Sequence, residues 1–137
     1  MAAALDVPID VAAGLGEHAR ATAPLFASAA EFEAAIRELF ARPGERVLGE
    51  ESADQAHARF AAALGRVLGA AGSSDGAGDI DESIAVVSHG TVMALSLARR
   101  SRCDAFALWK SLVMPCCAVL SLPELRLIEV IRSDDDE

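Results

Sequence analysis

The chain has no long apolar run and few basic residues. Although 53% of its 137 residues are hydrophobic, no stretch approaches the ~20 apolar residues that a membrane-spanning helix needs. The opening residues 1–5 lack a basic segment and are followed at once by Asp6, so we expect no signal peptide. With a net charge of −9 and no basic stripe, the chain is not expected to bind nucleic acid.

Cysteine is also scarce. The three cysteines are Cys103, Cys116 and Cys117, an odd number that includes an adjacent pair. Such spacing gives neither a disulfide framework nor a metal site, so we interpret all three as structural and expect a reducing, cytoplasmic environment. The histidines and carboxylates also lack ligand spacing, and no metal or other cofactor is expected.

One apolar stretch leads into a histidine turn. Residues 84–87 (Ile-Ala-Val-Val) are typical of a strand buried on both faces, and residues 92–100 have a helix pattern that ends in basic residues. Between them lies the turn Ser88-His89-Gly90. A histidine beside a helix N-terminus can bind an anion, most naturally a phosphate. The alternative is that His89 is an ordinary polar turn residue.

The other elements follow from capping residues and apolar spacing. Ser28 with Glu31, and Ser52 with Gln55, have the spacing of capping boxes and predict the starts of two helices. The further predictions are a short strand at residues 6–11, a helix end at Pro43-Gly44, helical turns from residue 103 to residue 114, and an antiparallel hairpin of residues 116–122 and 125–131.

Several polar segments are expected to be solvated. These are the loop of residues 14–20, the side chains of His57 and Arg59, a flexible loop at residues 72–79, and an acidic disordered tail at residues 133–137. The acidic lead-in of residues 49–52 is expected first to favour the positive end of the following helix, and only second to contribute to a site.

The order of these parts resembles a known family. A Gly49-Glu50-Glu51-Ser52 lead-in, a helix carrying Arg59, a loop, the segment of residues 86–91 (Val-Val-Ser-His-Gly-Thr), another helix and closing strands follow one another. This order resembles the C-terminal portion of the histidine phosphatase superfamily, the phosphoglycerate-mutase-like proteins. The resemblance covers nearly the whole chain, and residues 15–18 (Leu-Gly-Glu-His) resemble the family segment with the acidic proton donor.

The resemblance implies an α/β fold, a three-layer sandwich with a mostly parallel sheet. It also implies a two-histidine phosphate pocket without a cofactor, in which a first histidine is phosphorylated. His89 matches the second histidine, which with Gly90 and Thr91 binds the phosphoryl oxygens, and Glu17 matches the acid that protonates the leaving oxygen. Charge stabilisation of this kind is what phosphoryl transfer requires.

The family's Arg-His-Gly motif is missing from these 137 residues. We therefore expect a single truncated domain at residues 1–132 that lacks the nucleophile strand and is inactive or nearly so. Its open sheet edge would allow homo-oligomers. The expected partner is phosphate or a small phosphorylated metabolite. Two alternatives stay open: a non-catalytic α/β module that binds a phosphorylated ligand or partner protein, and an α/β interaction domain unrelated to phosphate.

Overall fold

The computed structural model describes residues 6–71 and 83–133. This part of the chain contains four helices followed by a two-stranded antiparallel sheet. In chain order they are α1 (Ala29–Ala41), α2 (Ala53–Ala71), α3 (Gly90–Ser101), α4 (Ala105–Ser111), β1 (Cys116–Leu120) and β2 (Leu127–Arg132).

The first two helices begin where the capping patterns predict. The Ser28 hydroxyl accepts a hydrogen bond from the Glu31 N–H at 3.2 Å, and the Ser52 hydroxyl accepts one from the Gln55 N–H at 3.1 Å. The Gln55 side-chain oxygen accepts a hydrogen bond from the Ser52 N–H, which completes the second capping box. Both predicted helix starts are therefore confirmed.

Helix α3 lies at the centre of the core. Seven of its twelve residues are buried, among them Thr91, Val92 and Leu95. It packs between α2 on one side and α4 on the other. The core side chains that surround it come mostly from α1 and α2, including Ile36, Leu39 and Phe60. Burial of this helix fixes the direction of its axis, and so fixes where its N-terminal N–H groups point.

The closing hairpin is confirmed, with slightly shorter strands than predicted. Cys116 pairs with Arg132, Val119 pairs with Glu129, and a register shift follows Val119. The preceding helical turns are α4, whose N-cap Asp104 accepts a hydrogen bond from the Ala107 N–H. Within the described residues, these two antiparallel strands make up the whole sheet.

Two predicted strands are wrong for this structure. Residues 84–87 and 6–11 are irregular, and Val87 and Val11 are 86% and 98% exposed. A β-strand needs a neighbouring backbone, and no described residue forms a ladder with either segment. Beside residues 83–88, a groove of about 550 Å³ opens between α2, α3 and β1, with mostly apolar side chains lining it.

The predicted loop of residues 72–79 and most of the predicted tail lie outside the described residues. Among the residues that are described, no helix is both long enough and apolar enough to span a bilayer.

Candidate functional site

His89 is the N-cap residue of α3, as the strand–turn–helix pattern implies for its turn. Its backbone is extended (φ −121°, ψ 157°), and its carbonyl accepts the first intrahelical bond, from the Met93 N–H. The imidazole is exposed, and the structure gives it no hydrogen bond to residues 6–71 or 83–133. The ring is therefore accessible to a ligand that approaches the start of α3.

Glu17 reaches this same helix end from the loop before α1. One carboxylate oxygen accepts from the Thr91 N–H at 3.1 Å, and the other accepts from the Val92 N–H at 3.2 Å and from the His18 N–H at 2.9 Å. A carboxylate at a helix N-terminus is stabilised by these free donors and by the helix dipole. The predicted proton donor and the predicted phosphate-binding residues therefore lie together.

Arg20 also lies at the start of α3. Its guanidinium donates to the Thr91 hydroxyl at 3.3 Å and lies 3.5 Å from the Glu17 carboxylate. It also stacks over the Phe32 ring, 5.3 Å from the centroid, which is a cation–π distance. The prediction of a solvated loop at residues 14–20 is therefore wrong. Glu17 and Arg20 form hydrogen bonds with the start of α3, and His18 forms one with the Glu51 carbonyl.

His18 is buried, at 2% exposure, on the inner side of that loop. Its Nε2–H donates to the Glu51 carbonyl at 2.7 Å, while Nδ1 is buried without a partner among the described residues. The hydrogen bond fixes the tautomer and ties residue 18 to the segment before α2. His18 therefore joins the loop to the segment before α2.

The acidic lead-in of residues 49–51 binds the loop and not its own helix. The Glu50 carboxylate accepts from the Thr22 N–H at 2.9 Å, and the Glu51 carboxylate accepts from the Ala19 N–H at 2.8 Å. The helix-capping prediction for these two carboxylates is wrong, because they accept from the Ala19 and Thr22 N–H groups, and Ser52 with Gln55 caps α2.

Arg59 is the second departure from the prediction of solvated side chains. Its guanidinium donates to the carbonyls of Gly14, Gly16 and Glu17 at 2.8 to 3.0 Å. It also forms an ion pair with Glu51 at 2.6 Å. Because the planar guanidinium offers five N–H donors in a fixed fork, one side chain holds three carbonyls of the loop. His57, two residues earlier on α2, is half-buried, and burial with the nearby Arg99 and Arg100 lowers its pKa.

Glu51 carries a shifted pKa that reports this network. Burial opposes its ionisation, but the hydrogen bonds from Arg59 and the Ala19 N–H, with the Arg59 charge, outweigh burial and lower its pKa below the ordinary 4.5. The ionised form is thus the one that the folded state prefers.

We expect Glu51→Gln to reduce stability near neutral pH and progressively less in acid. Because the folded pKa is lower than the unfolded one, ionised Glu51 stabilises the fold above about pH 4.5, and the contribution disappears as the pH falls through the folded pKa. Melting temperatures of both proteins between about pH 7 and pH 3 check this. Glu129→Gln, on exposed β2, is the control. If the difference in melting temperature between Glu51→Gln and the unsubstituted chain stays constant with pH, the lowered pKa of Glu51 is contradicted.

The sequence predicted site roles for His89, Gly90, Thr91 and Glu17, which the structure brings to one helix end, but gave Arg20 and Arg59 no role there. The signal for Arg59 was its place off the apolar stripe of α2, which permits a solvent-facing or a loop-facing position equally. For Arg20, the only signal was its spacing of three residues from Glu17 in a loop, where side-chain direction cannot be inferred from sequence.

Comparison with protein families agrees with the resemblance noted from the sequence. The profile of the histidine phosphatase superfamily (branch 1) matches residues 1–124. The chain belongs to this superfamily. No curated protein and no solved structure matches the chain significantly.

Proposed function

We propose that this chain binds the phosphoryl group of a small phosphorylated metabolite, or phosphate itself, at the start of α3. His89, Gly90 and Thr91 hold the phosphoryl oxygens, with the imidazole and the helix N–H groups as donors. Family membership over residues 1–124 supports the substrate class. The observation that carries the proposal is the convergence of Glu17, Arg20 and the Thr91 and Val92 N–H groups beside the accessible His89 ring.

The chemistry follows from the charge on the phosphoryl group. During transfer, negative charge spreads over the equatorial oxygens. Preorganised donors therefore stabilise the transition state more than the ground state, which lowers the barrier. Phosphomonoester hydrolysis through a phosphohistidine also needs a nucleophilic histidine, which we do not assign to any residue of these 137. With such a histidine supplied, Glu17 would protonate the leaving oxygen. The Glu17 oxygen that accepts from the Thr91 N–H accepts no second N–H bond from the described residues, so it retains a lone pair that can carry the proton.

We further propose that these 137 residues alone have little or no phosphatase activity. His18 is buried and hydrogen-bonded to the Glu51 carbonyl, and His57 lies on α2, so we assign the nucleophile role to neither. The chain contains no Arg-His-Gly motif. Turnover of p-nitrophenyl phosphate near the uncatalysed rate is the expected result.

The finer fold prediction remains a proposal as well. A mostly parallel, three-layer arrangement needs residues 84–87 to pair with another strand. The groove beside them, with its apolar lining from Ile84, Val86 and Val119, suits an added strand. Association of two copies at this edge is the corresponding proposal for oligomeric state. The three unpaired cysteines support a reducing compartment, which we propose is the cytoplasm.

His89→Ala is expected to weaken inorganic phosphate binding at least tenfold, because a charge-assisted hydrogen bond contributes roughly 1.5–3 kcal/mol. Isothermal titration of both proteins with phosphate measures the change. His57→Ala is the matched control. This histidine interacts with Arg99 and Arg100 in the last turn of α3, at the opposite end of the helix from the proposed site. Its affinity is expected to remain that of the unsubstituted chain. Equal affinity in His89→Ala and the unsubstituted chain contradicts the proposed function.

A further inference from the structure

Arg20 brings a positive charge to the start of α3. Among the described arginines near the core, Arg59 is committed to Glu51 and to three loop carbonyls, and Arg99 pairs with Asp54 beside the last turn of α3. Of these three arginines, only Arg20 contacts both Thr91 and Glu17. A phosphoryl group at this helix end would therefore find its compensating positive charge on Arg20.

The position of Arg20 is built into the fold. The Phe32 ring lies under its guanidinium, 5.3 Å from the centroid. Its backbone packs directly against Gly49, and the preceding Ala19 carbonyl accepts from the Glu50 N–H at 3.0 Å. The side chain is about a quarter exposed, so its donors are partly removed from water, and one face remains accessible to a ligand. Such a partly desolvated guanidinium binds an anion more strongly than a fully solvated one.

The Glu17 carboxylate occupies the place of an anion among these donors. Three backbone N–H groups and one guanidinium converge on its two oxygens, at 2.9 to 3.5 Å. A second anion cannot take the same N–H groups while the carboxylate holds them, and two anions in contact repel each other.

We infer that Arg20 is a phosphoryl-binding residue of this site, and that Glu17 is the internal anion that a phosphoryl group displaces from the Thr91 and Val92 N–H groups. The inference rests on the proposed function. On phosphate binding, Arg20 keeps its place beside Thr91 and exchanges the carboxylate for phosphoryl oxygens. Displaced Glu17 then lies beside the bound group, where a proton donor is needed.

The test compares two substitutions that should act in opposite directions. Arg20→Met is expected to weaken inorganic phosphate binding at least tenfold, about 1.4 kcal/mol, and Arg20→Lys to weaken it less. Glu17→Gln is expected to strengthen phosphate binding severalfold, because the neutral amide competes less well for the helix N–H groups. A purely structural role for both residues would weaken binding in both variants.

Arg37→Met is the matched control, since Arg37 lies on α1 and also stacks over an aromatic ring, which is Phe106 of α4. It should change the phosphate affinity by less than twofold. Melting curves check that each variant is folded. If Arg20→Met does not fold, the phosphate affinities of the two single variants Arg20→Lys and Glu17→Gln test the inference.

Equal phosphate affinities for Arg20→Met and Arg37→Met would overturn the role of Arg20, and weaker binding by Glu17→Gln would overturn the exchange. In either case the proposed function stands if His89→Ala still weakens binding. If the unsubstituted chain binds no phosphate, the proposed function fails and this inference fails with it.

Discussion

Gly49→Ala is expected to destabilise the chain by about 3–5 kcal/mol, among the largest effects of a single substitution. Gly49 has a φ of +73°, in the left-handed region that favours glycine. A Cβ at this position would lie 2.5 Å from the Ala19 carbonyl oxygen and would also overlap the Arg20 backbone. Because the obstructing atoms are main-chain atoms, no rotamer change relieves the overlap.

Thermal unfolding measures this effect, with a fall in melting temperature of more than about 10 °C expected. Gly16→Ala in the same loop region is the matched control, because a Cβ there would meet no atom within 4 Å. We expect its melting temperature to stay within about 2 °C of the unsubstituted chain. If Gly49→Ala melts as Gly16→Ala does, the contact between residues 19–20 and 49–51 is not as described.

Arg59→Met is expected to lower stability by about 2–3 kcal/mol, since it leaves Glu51 without its ion pair and three carbonyls without a donor. The loop of residues 14–17 then loses its anchor, and Glu17 leaves the start of α3 more often. We therefore expect the amide protons of Thr91 and Val92 to exchange with solvent faster than in the unsubstituted chain.

Arg66→Met controls for the loss of an arginine from α2, because Arg66 makes one hydrogen bond to the Ala13 carbonyl at the far side of the same loop. Its expected cost is below about 1 kcal/mol, without a change in exchange at Thr91. An Arg59→Met variant with unchanged exchange at Thr91 and Val92 would show that Arg59 does not position Glu17.

The helices and the hairpin could be predicted because their determinants are local. Ser28 and Ser52 satisfy free N–H groups at helix starts, and the strand-forming residues after Pro115 are joined by a short turn. Residues 84–87 have an equally clear strand composition, but a strand also needs a partner backbone. That requirement is non-local, so composition alone gave the wrong result for this segment.

The candidate site divides in the same way. His89 and Thr91 could be assigned from the turn that precedes α3, since they belong to one continuous segment. The role of Arg59 could not be assigned, because the three carbonyls that it binds lie more than forty residues earlier along the chain. Nothing in the spacing of Glu51 and Arg59 indicates that both bind the loop before α1. Tertiary packing of a loop with no periodicity determines that part of the site.

A phosphate titration followed by the amide resonances of α3 tests the central claim most directly. The account predicts that inorganic phosphate shifts the Gly90, Thr91 and Val92 amides and the His89 ring in the unsubstituted chain, with one common dissociation constant. It predicts that the same amide shifts in His89→Ala need at least tenfold more phosphate. Shifts confined to residues away from the start of α3, or shifts at Thr91 that persist unchanged in His89→Ala, would contradict it.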